Sequence, residues 1–327
     1  LKALFVAGDG GAREALHPLA AQCGSEVVSA CAAGWAAQLA QCGAALLVCG
    51  TSDSPEGRAI EIDARRAARD ARLPVVAVED FPGNYAPADG ADATLLVVES
   101  SAAREIALAR LGARCPRVEA HAPARYDRYR AQFTGLRTAT AARWAAQGAP
   151  EVLWAGQPET DDALSTLAVA LPALRAAGAH LLFKAHPRDP GYASGAYARL
   201  LSDSEGDITD VTPLDVAAAL ARAPRLVLTQ FSSVAIEAGF YGIPGVWLLL
   251  AGAGGARLHE KKGYRVPPLL DAGAAAYASD VAQVPDLVQR SLTDLAWRDA
   301  TIRRFDAYLK TGEAAAPRLA ARLRELA

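Results

Sequence analysis

Leu226-Val227-Leu228-Thr229-Gln230-Phe231-Ser232-Ser233-Val234-Ala235-Ile236-Glu237-Ala238 passes from an apolar run through a short polar loop into a second apolar stretch with helical spacing. A continuous apolar run of this length reads as a parallel strand buried on both faces. About forty residues upstream the same arrangement occurs: Leu181-Leu182-Phe183 runs into Lys184-Ala185-His186-Pro187-Arg188. In an open α/β sheet, ligands bind beyond the carboxyl ends of the strands. The two loops therefore belong at one edge of one sheet. One supplies Lys, His and Arg. The other supplies two hydroxyls at a helix start, with Glu237 a turn further on.

The rest of the chain repeats the strand–helix rhythm. In the first half, strands are expected at Ala3–Ala7, Glu26–Ser29, Ala45–Cys49, Val75–Val78, Thr94–Val98 and Arg117–Ala120, separated by helical patterns. In the second half they are expected at Val152–Ala155, His180–Phe183, Asp207–Val211, Leu226–Thr229 and Gly245–Leu250. Alternation of this kind specifies parallel sheets covered by helices on both faces. The break at Gly148-Ala149-Pro150 marks a domain boundary. The expected organisation is α/β, with two doubly wound Rossmann-like domains, 1–148 and 149–295, facing a cleft, and a helical C-terminal tail, 296–327. The Gly-rich segment from Gly252 to Pro268, with His259, Glu260, Lys261 and Lys262, reads as a mobile loop.

The 327 residues are 52% hydrophobic and carry a net charge of −2, which supplies two cores and no global attraction to nucleic acid. Any anion must be held by local cations. The five cysteines, Cys23, Cys31, Cys42, Cys49 and Cys115, form no CxxC pair and no zinc spacing. They read as reduced core thiols of a cytoplasmic protein. The start lacks the basic segment, long apolar core and cleavage site of a signal peptide. The longest apolar run, Ile243 to Ala253, is too short to span a bilayer. Whether the tail touches a membrane peripherally stays open, as does the oligomeric state.

Candidate chemistry sits in the strand-end loops. Ser232 and Ser233 precede a helix, where free N–H groups and hydroxyls receive phosphate. Glu237 lies four residues after Ser233, on the same helical face, and suits ribose hydroxyls. Lys184 is a flexible point charge and Arg188 a planar fork for an anion. His186 donates to phosphate, and a neighbouring dianion would favour its imidazolium. Gln157, after the strand Val152–Ala155, and Gln230 line the same edge. In the first half, Gly8-Asp9-Gly10-Gly11 follows the first strand, but the full dinucleotide fingerprint is missing. Asp80, in Glu79-Asp80-Phe81-Pro82-Gly83, is the candidate general base, with Asp9 as the second choice. Each of these carboxylates also fits a cap or turn role.

On these two loops the chain resembles the glycosyltransferase-B superfamily. Lys184, His186 and Pro187 together with Ser232-Ser233 are similar to the His-Pro and Ser-Ser motifs of bacterial sialyltransferases and of capsule Kdo or polysialic-acid transferases. The run Ser232-Ser233…Glu237-Ala238…Gly242-Ile243-Pro244 also resembles the nucleotide-binding segment of non-hydrolysing UDP-N-acetylglucosamine 2-epimerases. Two departures stand out. Gln230-Phe231-Ser232-Ser233 replaces the epimerase Asp-Ser-Gly-Gly, and the sialyltransferase acidic motif is only echoed by Glu79-Asp80…Gly83.

The resemblance implies a glycosyltransferase without metal or cofactor. Its donor would be a CMP- or UDP-linked sugar, and its acceptor a glycan or glycoconjugate in bacterial surface polysaccharide synthesis. By the same token the matching His and Ser groups bind the nucleotide phosphate and aid its departure, and the matching Glu contacts ribose. An epimerase-like sugar-nucleotide isomerase and a non-catalytic sugar-nucleotide binder are the alternatives.

Overall fold

The computed structural model describes residues 1–202, 208–250 and 254–327. By internal contacts the chain divides into a first unit, Leu1–Ala131 with Gly312–Ala327, and a second, Gln132–Thr311.

The first unit holds strands β1 (Ala3–Val6), β2 (Val27–Val28), β3 (Leu46–Cys49), β4 (Val75–Val78), β5 (Leu95–Val98) and β6 (Arg117–Ala120). The second holds β7 (Glu151–Ala155), β8 (His180–Lys184), β9 (Ile208–Asp210), β10 (Leu226–Thr229), β11 (Gly245–Leu248) and β12 (Ala276–Ala278). Each unit is one six-stranded sheet, with order β2-β1-β3-β4-β5-β6 in the first and β12-β11-β10-β7-β8-β9 in the second. Every pairing is parallel. Both sheets are thus doubly wound α/β layers, as the alternating pattern predicts. The second has the order of a dinucleotide-binding half pair, the first that of a flavodoxin-like sheet with one added strand.

Side-chain alternation along a strand explains why helices cover both faces. In β1, Phe5 joins Leu16 and Leu19 in one core, whereas Leu4 and Val6 join Leu39, Ala64 and Ala68 in another. In the second unit, Trp154, Phe183 and Leu228 share a core with Leu167, Leu171, Val284 and Val288.

Some local readings change. Strand β12 was not expected, because Ala-Tyr-Ala is too short to show a period. The residues from Gly254 to Lys262 form a helix rather than a loop, since Ala256 to Lys262 are mostly good helix formers. Residues 251–253 and Asp207 lie outside the described residues. Of the cysteines, only Cys49 is fully buried, and Cys42 is exposed, because the helix carrying Cys42 buries Leu39 alone. Among the described residues, no helix is long and apolar enough to cross a membrane.

The last helix, Ala316–Leu326, returns to the first unit, where Leu319, Ala320 and Leu323 pack on the Phe5–Leu16 core. Two polar anchors hold it. Asp127 accepts the Ala315 and Ala316 N–H groups at 2.9 and 2.7 Å, doing the work of a cap. Arg322 forks onto Glu119 of β6 at 2.9 and 2.8 Å. Leu323→Ala is therefore expected to cost about 2–4 kcal/mol, whereas Arg318→Ala on the exposed face should stay within about 0.5 kcal/mol. Urea unfolding of the two variants measures the difference.

Candidate functional site

Where strand order reverses, the loops on either side diverge and open a crevice at the carboxyl edge. In the second unit this switch point lies between β7 and β10. The loops after β7, β8 and β10 meet there, stitched by hydrogen bonds. Thr229 Oγ1 donates to Ala155 O at 2.7 Å and accepts the Ser232 N–H at 3.1 Å. Gly156 N–H donates to Lys184 O at 2.9 Å. Gln230 is buried, and its amide donates to Asp162 O and Thr166 Oγ1 of the helix Thr160–Ala176 at 3.1 and 2.9 Å. Gln230 thus braces the loop, and Gln157 is buried after Gly156.

The serines divide their work. Ser232 Oγ accepts the Val234 N–H at 3.3 Å, a local turn bond. Ser233 stands at the helix start with φ −60° and ψ −17°, and its hydroxyl makes no capping bond. A capping side chain needs an extended backbone, and Ser233 is already helical. Glu237 is buried in the first turn of the helix Val234–Phe240.

Lys184 and His186 differ more than their nearness in sequence suggests. The Lys184 ammonium donates to Thr212 O at 3.2 Å and also to Leu214 O, so it braces the segment after β9. Burial lowers its pKa. His186 is half-buried, and its Nδ1 accepts the Arg188 N–H at 3.1 Å. The neutral ring then carries its proton on Nε2. Burial, followed by the Arg188 guanidinium, pushes the His186 pKa down. Arg188 itself is exposed.

Asp189, which the sequence reading passed over, anchors this loop. It is buried and takes hydrogen bonds from Thr160 Oγ1, from Tyr197 OH and, at 2.8 Å, from Gly191 N–H. The Asp189-Pro190 pair is a legible helix-start signal. The partners Thr160 and Tyr197 come from elsewhere in the fold.

The first unit has its switch point between β1 and β3. Asp9 caps the helix Gly10–Gln22, accepting the Ala12 N–H at 3.0 Å on Oδ1 and the Asp53 N–H at 2.9 Å on Oδ2. Both its oxygens are engaged by backbone donors. Glu61 is buried on the helix Pro55–Asp70 and ties the same loops together. It accepts Gly8 N–H at 3.1 Å, Ser52 N–H at 2.8 Å and Ser52 Oγ–H at 2.6 Å. A Cβ on Gly8 would lie 2.0 Å from Gly57 O, so the loop approaches this helix only as glycine. Asp80, after β4, is half-buried and bonded through Oδ1 to Thr51 and Asn84. Burial raises its pKa, against the donors Asn84 and Thr51 and the Arg125 charge. Its neighbour Glu79 is buried. Oε1 accepts the Tyr85 N–H at 3.0 Å, Oε2 has no hydrogen-bond partner among the described residues, and burial pushes the carboxyl up to about 8. Among the described residues, no group of three His, Cys, Asp or Glu side chains is arranged to hold a metal ion.

No protein-family model and no curated protein matches the sequence. Solved structures do. The UDP-GlcNAc 2-epimerase from Methanocaldococcus jannaschii aligns over 99% of this chain and 100% of its own, at TM-score 0.66 and 12% identity. This chain therefore has the glycosyltransferase-B fold. HepE from Anabaena in complex with UDP matches over 99% of both chains at TM-score 0.63 and 14% identity. MurG of Acinetobacter baumannii matches over 99% of both at TM-score 0.57 and 14% identity. At such identities the likeness is one of fold, and the residues carry the rest of the argument.

Two predictions follow from the carboxyls. Glu79 in the folded chain holds its proton up to about pH 8, whereas an ordinary carboxyl loses it near 4.5. Between those values the folded state binds more protons than the unfolded, so stability falls as pH rises across the window. Burial shifts Asp80 and Glu61 in the same direction. Urea midpoints from pH 5 to 9 should decline, and Glu79→Gln should flatten the decline. Asp189→Ala removes the shared acceptor of Thr160, Tyr197 and Gly191. It should cost about 2–4 kcal/mol by chemical unfolding, as loss of a buried hydrogen-bonded partner does.

Proposed function

We propose that the protein is a metal-independent glycosyltransferase with a nucleotide-sugar donor held by the second unit. One observation carries the reading. At the second unit's switch point the loops after β8 and β10 present His186, Arg188, Ser232 and Ser233, on backbone braced by Asp189, Thr229 and Gln230. Such an edge suits a nucleotide phosphate, and the fold it shares with UDP-bound proteins supports that class of ligand.

Nε2–H of His186 and the two serine hydroxyls donate to phosphate oxygens, and Arg188 adds positive charge. Charge developing on the departing nucleotide is what these donors stabilise. Glu237 holds the ribose hydroxyls. Lys184 and Gln230 support the loops from behind, consistent with their bonds to carbonyl and side-chain groups. In the first unit, Asp80 is the base for the acceptor hydroxyl. Its half-buried carboxylate keeps one oxygen clear of the Thr51 and Asn84 bonds, whereas both oxygens of Asp9 are occupied.

Isothermal titration with UDP and CMP tests the donor site. Binding of one nucleotide is expected, weakened about tenfold or more by Ser233→Ala and by His186→Ala, since each removes a donor to a charged group. Binding that ignores both substitutions, or none to either nucleotide, would overturn the assignment.

The epimerase reading has its own support in the adjacent acids Glu79, buried, and Asp80, half-buried, both with raised pKa. Incubation with UDP-N-acetylglucosamine in deuterated water separates the two. Transfer predicts no deuterium at C2, and its appearance without an acceptor would establish the isomerase instead.

A further inference from the structure

Among the described residues, hydrogen bonds grip Asp80 on one oxygen only. The buried Thr51 hydroxyl, following β3, donates to Asp80 Oδ1 at 2.9 Å and accepts the Asp80 N–H at 3.3 Å. The buried Asn84 donates its Nδ2–H to the same Oδ1 at 2.8 Å. Asn84 reaches back because Phe81-Pro82-Gly83-Asn84 closes as a turn. Its N–H donates to Phe81 O at 3.1 Å, and Gly83 takes φ +82°. Pro second and a left-handed Gly third is the signature of a type II turn. The other oxygen, Oδ2, faces the first turn of the helix Gly10–Gln22: a Cβ added at Gly11 would lie 2.8 Å from it. A free carboxylate would rotate away from such a methyl, but one clamped at Oδ1 from two directions has little room to do so.

We propose that Thr51 and Asn84 are positioning residues that fix Asp80 so that Oδ2 is the oxygen that takes the acceptor's proton, with Gly11 keeping its approach open. The inference rests on Asp80 acting as the base. In the transfer step the acceptor O–H proton passes to Oδ2. The oxygen's electron pair forms the bond to the anomeric carbon. The bond from that carbon to the nucleotide phosphate oxygen breaks, and its electrons leave with the nucleotide. Two donors on Oδ1 saturate that oxygen and leave Oδ2 as the more basic one. The charged groups around Asp80 are Asp9 after β1, Glu61 on the helix Pro55–Asp70, Glu79 before it in the chain, and Arg125. They act on the carboxyl as a whole, whereas the two clamp bonds distinguish its oxygens.

The test uses the full chain labelled with 13C at aspartate carboxyls, the Asp80 signal being assigned with Asp80→Asn. Thr51→Val and Asn84→Leu each remove a donor to the charged form. Each should move the Asp80 titration to higher pH by about one unit, a tenfold gain in proton affinity. With the preferred nucleotide-sugar and acceptor, kcat should fall about tenfold at little change in KM, and the acid limb of the kcat/KM profile should move up with the titration. Thr51→Ser should restore both. Gly11→Ala should lower kcat while leaving nucleotide affinity unchanged.

An Asp80 titration that stays put in the clamp variants would overturn the proposal, as would Thr51→Ser behaving like Thr51→Val. If the clamp variants fail to fold, Thr51→Ser and Gly11→Ala decide it: wild-type kcat in Gly11→Ala, or lost turnover in Thr51→Ser, counts against the clamp. Shifted titrations in a protein that turns over no donor would remove the transferase reading and leave the clamp standing.

Discussion

Every parallel strand that ends at a switch point leaves backbone N–H groups pointing into a crevice, and each must find an acceptor. Much of this molecule's site architecture is an answer to that constraint. The first unit answers with carboxylates. Asp9 takes Ala12 and Asp53, and Glu61 takes Gly8 and Ser52. The second answers mainly with neutral groups: Thr229 Oγ1 takes Ser232, Ser232 Oγ takes Val234, and the His186 imidazole takes Arg188. Asp189, taking Gly191 further along the loop, is the exception.

The contrast gives the two edges different chemistry. An edge whose backbone donors are capped by carboxylates repels a phosphate and suits proton abstraction. Burial sharpens this, because it raises Asp80, Glu79 and Glu61 together and makes them better bases or proton stores than surface carboxylates. An edge stitched by hydroxyls and an imidazole, with Arg188 exposed beside it, tolerates an anion. The difference between the two edges has a physical basis in how each sheet satisfies its own backbone.

Several side chains that look chemical in the sequence prove to be braces. Lys184 stood out as a cation after a strand, yet its ammonium is taken by the carbonyls of Thr212 and Leu214. Gln230 holds a helix, and Asp9 spans two loops. In each case the partner lies tens of residues away, so no local pattern announces it. Thr160, bonded to Asp189, and Gly8, bonded to Glu61, are as far away along the chain. The bond from Thr51 to Asp80 was hidden in the same way, since it joins the ends of β3 and β4, whereas Asn84 lies only four residues from Asp80, in its own turn.

The sequence by itself determined the alternation of strands and helices, since runs such as Val75–Val78 and Leu226–Thr229 have one stable use, as strands buried on both faces. It also located the loops after β8 and β10 and the Asp80 turn, because Pro, Gly and Ser carry their backbone preferences with them. Tertiary structure alone decided the order of the strands and hence the switch points. It decided that the last helix docks on the first unit through Leu319 and Leu323. It decided which oxygen of Asp80 takes the Thr51 and Asn84 bonds. Strand order and side-chain partnership depend on contacts between residues far apart in the chain, and those energies exist only once the sheet has formed.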